Sequence, residues 1–266
     1  MTDSTATGPG PVFAPGTFRP DPRPSGRWHM LRAAAGLELK MLIRNGEQLL
    51  LAVVIPLGAL VGLTTTTVIN LTAPRVNTVT PGVLALAIMS TAFTSQAITT
   101  AFDRRYGVLK RLAAAGMGKT LLVAGKCGAA LVVIVAQWAL LGAVAFGLGW
   151  HPRGNAAWVP VLVVLGAAAF IGLALLLGGT LRAEAVLALA NVVWLALVVV
   201  GGVVIPLTKA PDWLRIVGEL TPAGALSTAL RAVLQYGTAP TAASLAALLV
   251  WIAVGWGGTV RWFRWQ

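Results

Sequence analysis

Acidic side chains are scarce in this sequence, with eight Asp and Glu among 266 residues against twenty Lys and Arg. They are Asp3, Asp21, Glu38, Glu47, Asp103, Glu184, Asp212 and Glu219. None pair at a spacing that would hold a metal-bound diphosphate, which argues against an intramembrane transferase. Histidine is limited to His29 and His151, with no acid or thiol at ligand spacing, so the sequence offers no metal site. Nor does it contain a Ser/His, paired-Asp or HExxH arrangement for proteolysis, and no catalytic residue is assigned. Cys127 is the only cysteine, which excludes an intrachain disulfide. Charged residues of both signs make up only 11% of the chain, and a soluble domain needs far more polar surface.

What the chain has instead is apolar length. Six windows, 48–74, 76–102, 127–150, 154–181, 185–208 and 232–260, contain no Asp, Glu, Lys or Arg. Each exceeds the roughly 20 apolar residues that carry a helix across a bilayer. Helices are expected because lipid offers no partner to backbone N–H and C=O groups. The predicted fold class is an all-α polytopic membrane protein with spans at about 49–71, 80–101, 121–149, 157–180, 185–207 and 241–260. Since no window holds an ionisable group, an ion-coupled carrier is disfavoured, because such carriers keep one at membrane depth. Energy is expected to come from outside the membrane.

The net charge of +12 reports topology. With the N-terminus inside, fifteen Lys and Arg fall on cytoplasmic segments and five on outer ones. This is the positive-inside pattern, and it places both termini in the cytoplasm of a multi-pass plasma-membrane protein. Nucleic acid is not needed to explain the basicity. Residues 1–26, with six Pro, four Gly and no apolar run, read as a disordered cytosolic tail. In the segment 27–47, Trp28, Leu31, Ala35, Leu39 and Leu42 recur at helical spacing, which predicts an amphipathic helix lying in the inner interface. Between spans five and six, residues 211–220 and 223–236 form two helical pieces parted by Thr221-Pro222, each too short to span. A re-entrant pair on the outer face is expected.

Two stretches carry candidate function. Span two is polar toward its inner end: Ser90, Thr91, Thr94, Ser95, Gln96, Thr99 and Thr100. Hydroxyls in lipid commonly bond back to their own helix's carbonyls. The functional alternative is a polar seam or substrate path, for which Thr94, Ser95, Gln96, Thr99 and Asn191 of span five are the candidates. The cytoplasmic loop 103–126 opens with a basic amphipathic helix. Phe102, Tyr106, Leu109 and Ala113 fall within one apolar arc, with Arg104 and Arg111 opposite. The arc suits a groove on another protein, while the charges alone could serve topology and anionic lipid. Gly118-Lys119-Thr120 imitates the end of a P-loop, but Ala113 stands where that motif needs Gly, and no strand precedes it.

Asp103-Arg-Arg-Tyr-Gly-Val-Leu-Lys-Arg-Leu112, with Gly125-Lys126 beyond it, resembles the charged-Gly-x-Leu-x-Arg-Leu signature of ABC-2 type permeases, the membrane subunits of ABC exporters that include daunorubicin-resistance-like proteins. Leu220-Thr-Pro-Ala-Gly-Ala-Leu-Ser-Thr-Ala-Leu-Arg231 is similar to the family's segment ending in Ala-Leu-Arg. Asp103 stands where Glu is frequent, Tyr106 replaces a smaller residue, and Thr221 stands where Asn is common. The resemblance covers about 27–266 as one transmembrane domain. It implies an exporter moving a drug, lipid or natural product, with a polysaccharide or haem-like cargo as the alternative. It also implies that Asp103, Arg104, Arg105, Tyr106, Gly107, Leu109, Lys110, Arg111 and Leu112 form a coupling helix that docks on a separate soluble ABC ATPase. That subunit would hold ATP and Mg, the permease itself carrying no cofactor. A second permease copy, identical or paralogous, would complete a dimer in contact with membrane lipid.

Overall fold

The computed structural model describes residues 25–66, 74–153 and 157–263, the side chains of 47–51 excepted. The tail 1–24 and the last anchor residues 264–266 lie outside the described residues. Within them every regular element is helical: α1 Arg27–Arg44, α2 Gly46–Thr65, α3 Arg75–Met89, a π-helical turn Ser90–Ser95, α4 Gln96–Arg105, α5 Val108–Ala114, α6 Lys119–Gly147, α7 Trp158–Thr180, α8 Ala183–Val200, a 3-10 turn Leu207–Lys209, α9 Asp212–Leu220, α10 Pro222–Arg231 with a π extension Ala232–Tyr236, and α11 Ala242–Trp262. Among the described residues, five helices are long and apolar enough to cross a membrane: the continuous Arg75–Arg105, then α6, α7, α8 and α11. The first expected span corresponds to α2, whose apolar stretch Ala52–Thr65 is shorter.

The continuous helix Arg75–Arg105 is the hub. Of its apolar window 94% is buried, against 17% for α8, because α2, α6, α7, α8 and α10 pack directly against it, while α11 packs on α7 and α1 on α6. Close approach depends on small residues. A Cβ on Gly255 would lie 2.7 Å from the backbone N of Leu173, so α7 and α11 touch backbone to backbone. Trp256 Nε1 donates to Ala168 O at 2.9 Å and Thr259 Oγ1 to Gly172 O at 3.0 Å across the same contact. α1 lies along α6, where a Cβ on Gly125 would meet Ala34 at 3.1 Å.

Several boundaries differ from expectation. Span five ends at Val200, not near 207, because Gly201-Gly202 turns the chain, Gly202 at φ +60. Residues beyond it stay apolar, so hydropathy runs on through the turn. Span two begins at Arg75 and ends at Arg105, longer at both ends than 80–101. The stripe of α1 that faces the protein is centred on Ala34, Glu38 and Leu42, with Leu31, Ala35 and Leu39 half-buried beside it and Trp28 70% exposed. The two short helices before the last span are α9 and α10. Thr221 caps α10, its Oγ1 accepting from Gly224 N at 3.0 Å, with Pro222 at the first helical position.

Candidate functional site

The basic end of the hub helix does not continue as one amphipathic helix. Gly107, at φ +68, reverses the chain between α4 and the seven-residue α5. That left-handed conformation is cheap for Gly alone, and it ends the arc expected to run from Phe102 to Ala113. The Phe102 and Tyr106 rings still stack at 5.9 Å. The nine residues expected to couple to an ATPase therefore divide. Leu109 is fully buried inside the chain and Leu112 half-buried. Arg104 donates to Gly179 O and Leu181 O, satisfying carbonyls at the end of α7, and Arg105 pairs with Glu184 at the start of α8. Tyr106, Lys110 and Arg111 are exposed at the tip.

Asp103 turns inward. Lys126 Nζ, fully buried in α6, donates to Asp103 Oδ2 at 2.9 Å and to Glu38 Oε2 of α1 at 3.0 Å. Three elements (α1, α4 and α6) are thus tied by one ammonium between two carboxylates. Burial pushes the Glu38 carboxyl above its ordinary value, and Lys126 pulls it back. The charge count assigned Lys126 to the cytoplasmic loop and the start of span three; it lies within α6, and its pairing with Glu38 and Asp103 was not foreseen. The signal was available in part: Ala34, Glu38 and Leu42 share one helical face, and an acid in a buried stripe requires a cation.

Farther along the hub, a cavity of about 370 Å³ opens between α2, the π turn with α4, and α8. Thr94, Ser95 and Asn191 line it together with Asn45, Ala52, Ile55, Ser90, Ile98, Leu187 and Trp194. Of the five substrate-path candidates, Gln96 and Thr99 are not in this lining. Gln96 is buried with its Oε1 unpartnered, and Thr99 is half-buried. The π turn, a geometry that recurs at functional sites, re-aims this stretch. Thr91 Oγ1 donates to Gln137 Oε1 at 2.8 Å, Gln137 Nε2 to Ala52 O at 2.9 Å, and Trp194 Nε1 to Ser90 Oγ at 3.1 Å. Back-bonding to the helix's own carbonyls occurs in α2, where Thr64 donates to Leu60 O at 2.6 Å. Thr91 instead bonds across to α6, and the Thr94 hydroxyl is buried without a partner. The cavity wall carries hydroxyls, amides and an indole, and no charge.

Fold and site together define a multi-pass helical membrane protein with a buried polar wall and a basic, exposed tip at one end. The family model of ABC-2 type transporters matches residues 31–234, more than half of the chain, and the protein belongs to that family. It is therefore a transmembrane permease of the ABC transporter class, whose members generally work with a soluble ABC ATPase. A search of curated proteins finds no match.

Proposed function

We propose that this permease exports a small amphipathic cargo, a drug, lipid or natural product, from the plasma membrane, driven by ATP and Mg on a separate soluble ATPase. The observation that carries this reading is continuity: one helix, Arg75–Arg105, lines the cavity in its middle and ends at the exposed tip. A rigid element of that kind passes movement at the tip directly to the cavity wall. The cavity volume falls at the lower end of the range for small-molecule sites, and its mixture of apolar wall and few hydrogen-bonding groups suits a drug-sized amphiphile. Both termini and the tip lie in the cytoplasm in this reading, which the clustering of Lys and Arg supports. Two permeases and two ATPases make the working unit.

Docking falls to Tyr106 and Arg111, because Leu109 is internal. Tyr106→Ala combined with Arg111→Glu is expected to weaken co-purification of the ATPase subunit by about thirtyfold, as truncation of an aromatic anchor does at interfaces, while leaving membrane insertion unchanged. Undiminished co-purification of the double variant would refute the docking role. Leu109→Asp is expected to act differently, burying a carboxylate and destabilising the permease itself.

A further inference from the structure

At the basic end a second cavity, of about 410 Å³, lies between α4, α5 and the α7–α8 turn. Arg104, Arg105, Lys110 and Arg182 surround it, with Glu184 as the one acid. Arg104 is committed to the α7 carbonyls and Arg105 to Glu184, whereas Lys110 and Arg182 are exposed and make no ion pair among the described residues. The positive-inside tendency accounts for cations at this end of the molecule. It does not account for their being drawn around one cavity.

The position of that cavity matters more than its charge. Thr94 at the end of the π turn is followed by Ile98, Ala101 and Arg105 on α4, the last three on one face of that helix. On α8, Glu184, Leu187, Asn191 and Trp194 follow the same rule. The two helices pack together, and the uncharged cavity takes the upper members of both stripes while the basic cavity takes the lower. One seam therefore has a basic mouth and an uncharged, partly apolar interior. From Glu184 to Trp194 it rises about 15 Å, half the thickness of a hydrocarbon core. The Arg105–Glu184 pair spans the seam at its mouth.

We infer that this seam takes an amphiphile whose head carries a phosphate-like negative charge, held at the mouth by Lys110 and Arg182, and whose apolar body lies against Ile98, Leu187 and Trp194. The head competes with Glu184 for Arg105, so the clasp at the mouth opens as the anion enters. This inference rests on the cavity being the cargo path, and it narrows the cargo to an anionic amphiphile taken from the leaflet at the basic end.

The test uses the full chain in phosphatidylcholine nanodiscs and two photoactivatable probes with the same diazirine-bearing alkyl tail, one ending in a phosphate monoester and the other in a hydroxyl. Labelled peptides are mapped by mass spectrometry. The phosphate probe is expected to label the α4–α8 face about tenfold more than the alcohol, and Lys110→Ala with Arg182→Ala to bring it down to the alcohol's level. Glu184→Gln is expected to raise labelling by the phosphate probe roughly threefold by removing the competing carboxylate. Equal labelling of that face by both probes, insensitive to the double variant, would overturn the anionic head and leave the cargo path standing. Absence of labelling there by either probe would remove the path as well. Full competition by inorganic phosphate at the probe's own concentration would show a site for the anion alone and overturn the amphiphile.

Discussion

Lys126→Met is expected to destabilise the permease by about 3–5 kcal/mol, because it removes one ammonium and strands two carboxylates. Glu38 is 3% exposed and its Oε1 already lacks a partner, while the Asp103 side chain is 13% exposed, so water reaches neither freely. Met nearly matches the Lys stem in volume, so the loss is electrostatic and not a packing defect. Adding Glu38→Gln and Asp103→Asn to Lys126→Met should recover most of the loss, since replacing a whole buried charge cluster is often close to neutral. The single variant also acquires a pH dependence of defined sign. Without Lys126, burial and the nearby Asp103 charge both act on Glu38 and raise its carboxyl further, so the folded state binds a proton more tightly than the unfolded state. The deficit is then full at pH above that raised value and shrinks as pH falls toward the ordinary carboxylate value of about 4. Monodispersity in size-exclusion chromatography after stepwise heating, compared at neutral and mildly acidic pH, reads the effect. A Lys126→Met protein as heat-resistant as the parent at neutral pH would show that the cluster does not hold α1 and α4 to α6.

Five of the six expected spans were legible in the sequence because they depend on a single summed quantity, the apolar length that lipid demands. The α9–α10 pair was legible for a local reason, as Thr221-Pro222 both ends one helix and caps the next. Features that depend on pairing across the fold were not. Glu38 and Asp103 stand 88 and 23 residues from Lys126, and no local period reports such a meeting. Gly107 was visible as a residue, but the apolar arc through Phe102, Tyr106 and Leu109 argued for continuity. The left-handed turn prevails because Leu109 buries completely once the chain reverses. Within the cavity, polarity alone pointed to Thr94, Ser95 and Asn191. It could not separate them from Gln96 and Thr99, since the π turn changes which side of the helix each residue faces.

Arg231 shows the same limit at the far end, where the sequence counted it only as an outer charge. It is 4% exposed and donates from Nη1 to Gly202 O at 2.7 Å and from Nη2 to Val203 O at 2.9 Å. These carbonyls belong to the turn that ends α8, so α10 holds the end of the helix that lines the cavity. Gly82 of the hub packs into the same clamp. A Cβ there would lie 1.9 Å from Val203 O and 2.7 Å from Arg231 Nη2. A backbone oxygen in a turn cannot swing aside as a flexible side chain does, so Gly82→Ala must displace the turn. The expected cost is at the upper end of the roughly 1–3 kcal/mol typical of overpacking. Arg231→Leu leaves both carbonyls without donors, at about 1–3 kcal/mol each. Because both changes break one clamp, the double variant is expected to lose clearly less than the sum of the singles. Cys127 supplies the readout: as the only thiol, half-buried in α6, it reacts with a thiol-activated fluorophore chiefly when the fold opens. Additive losses in the melting midpoints would mean that Gly82 and Arg231 act independently, and the α8 end would then have to be held by some other contact.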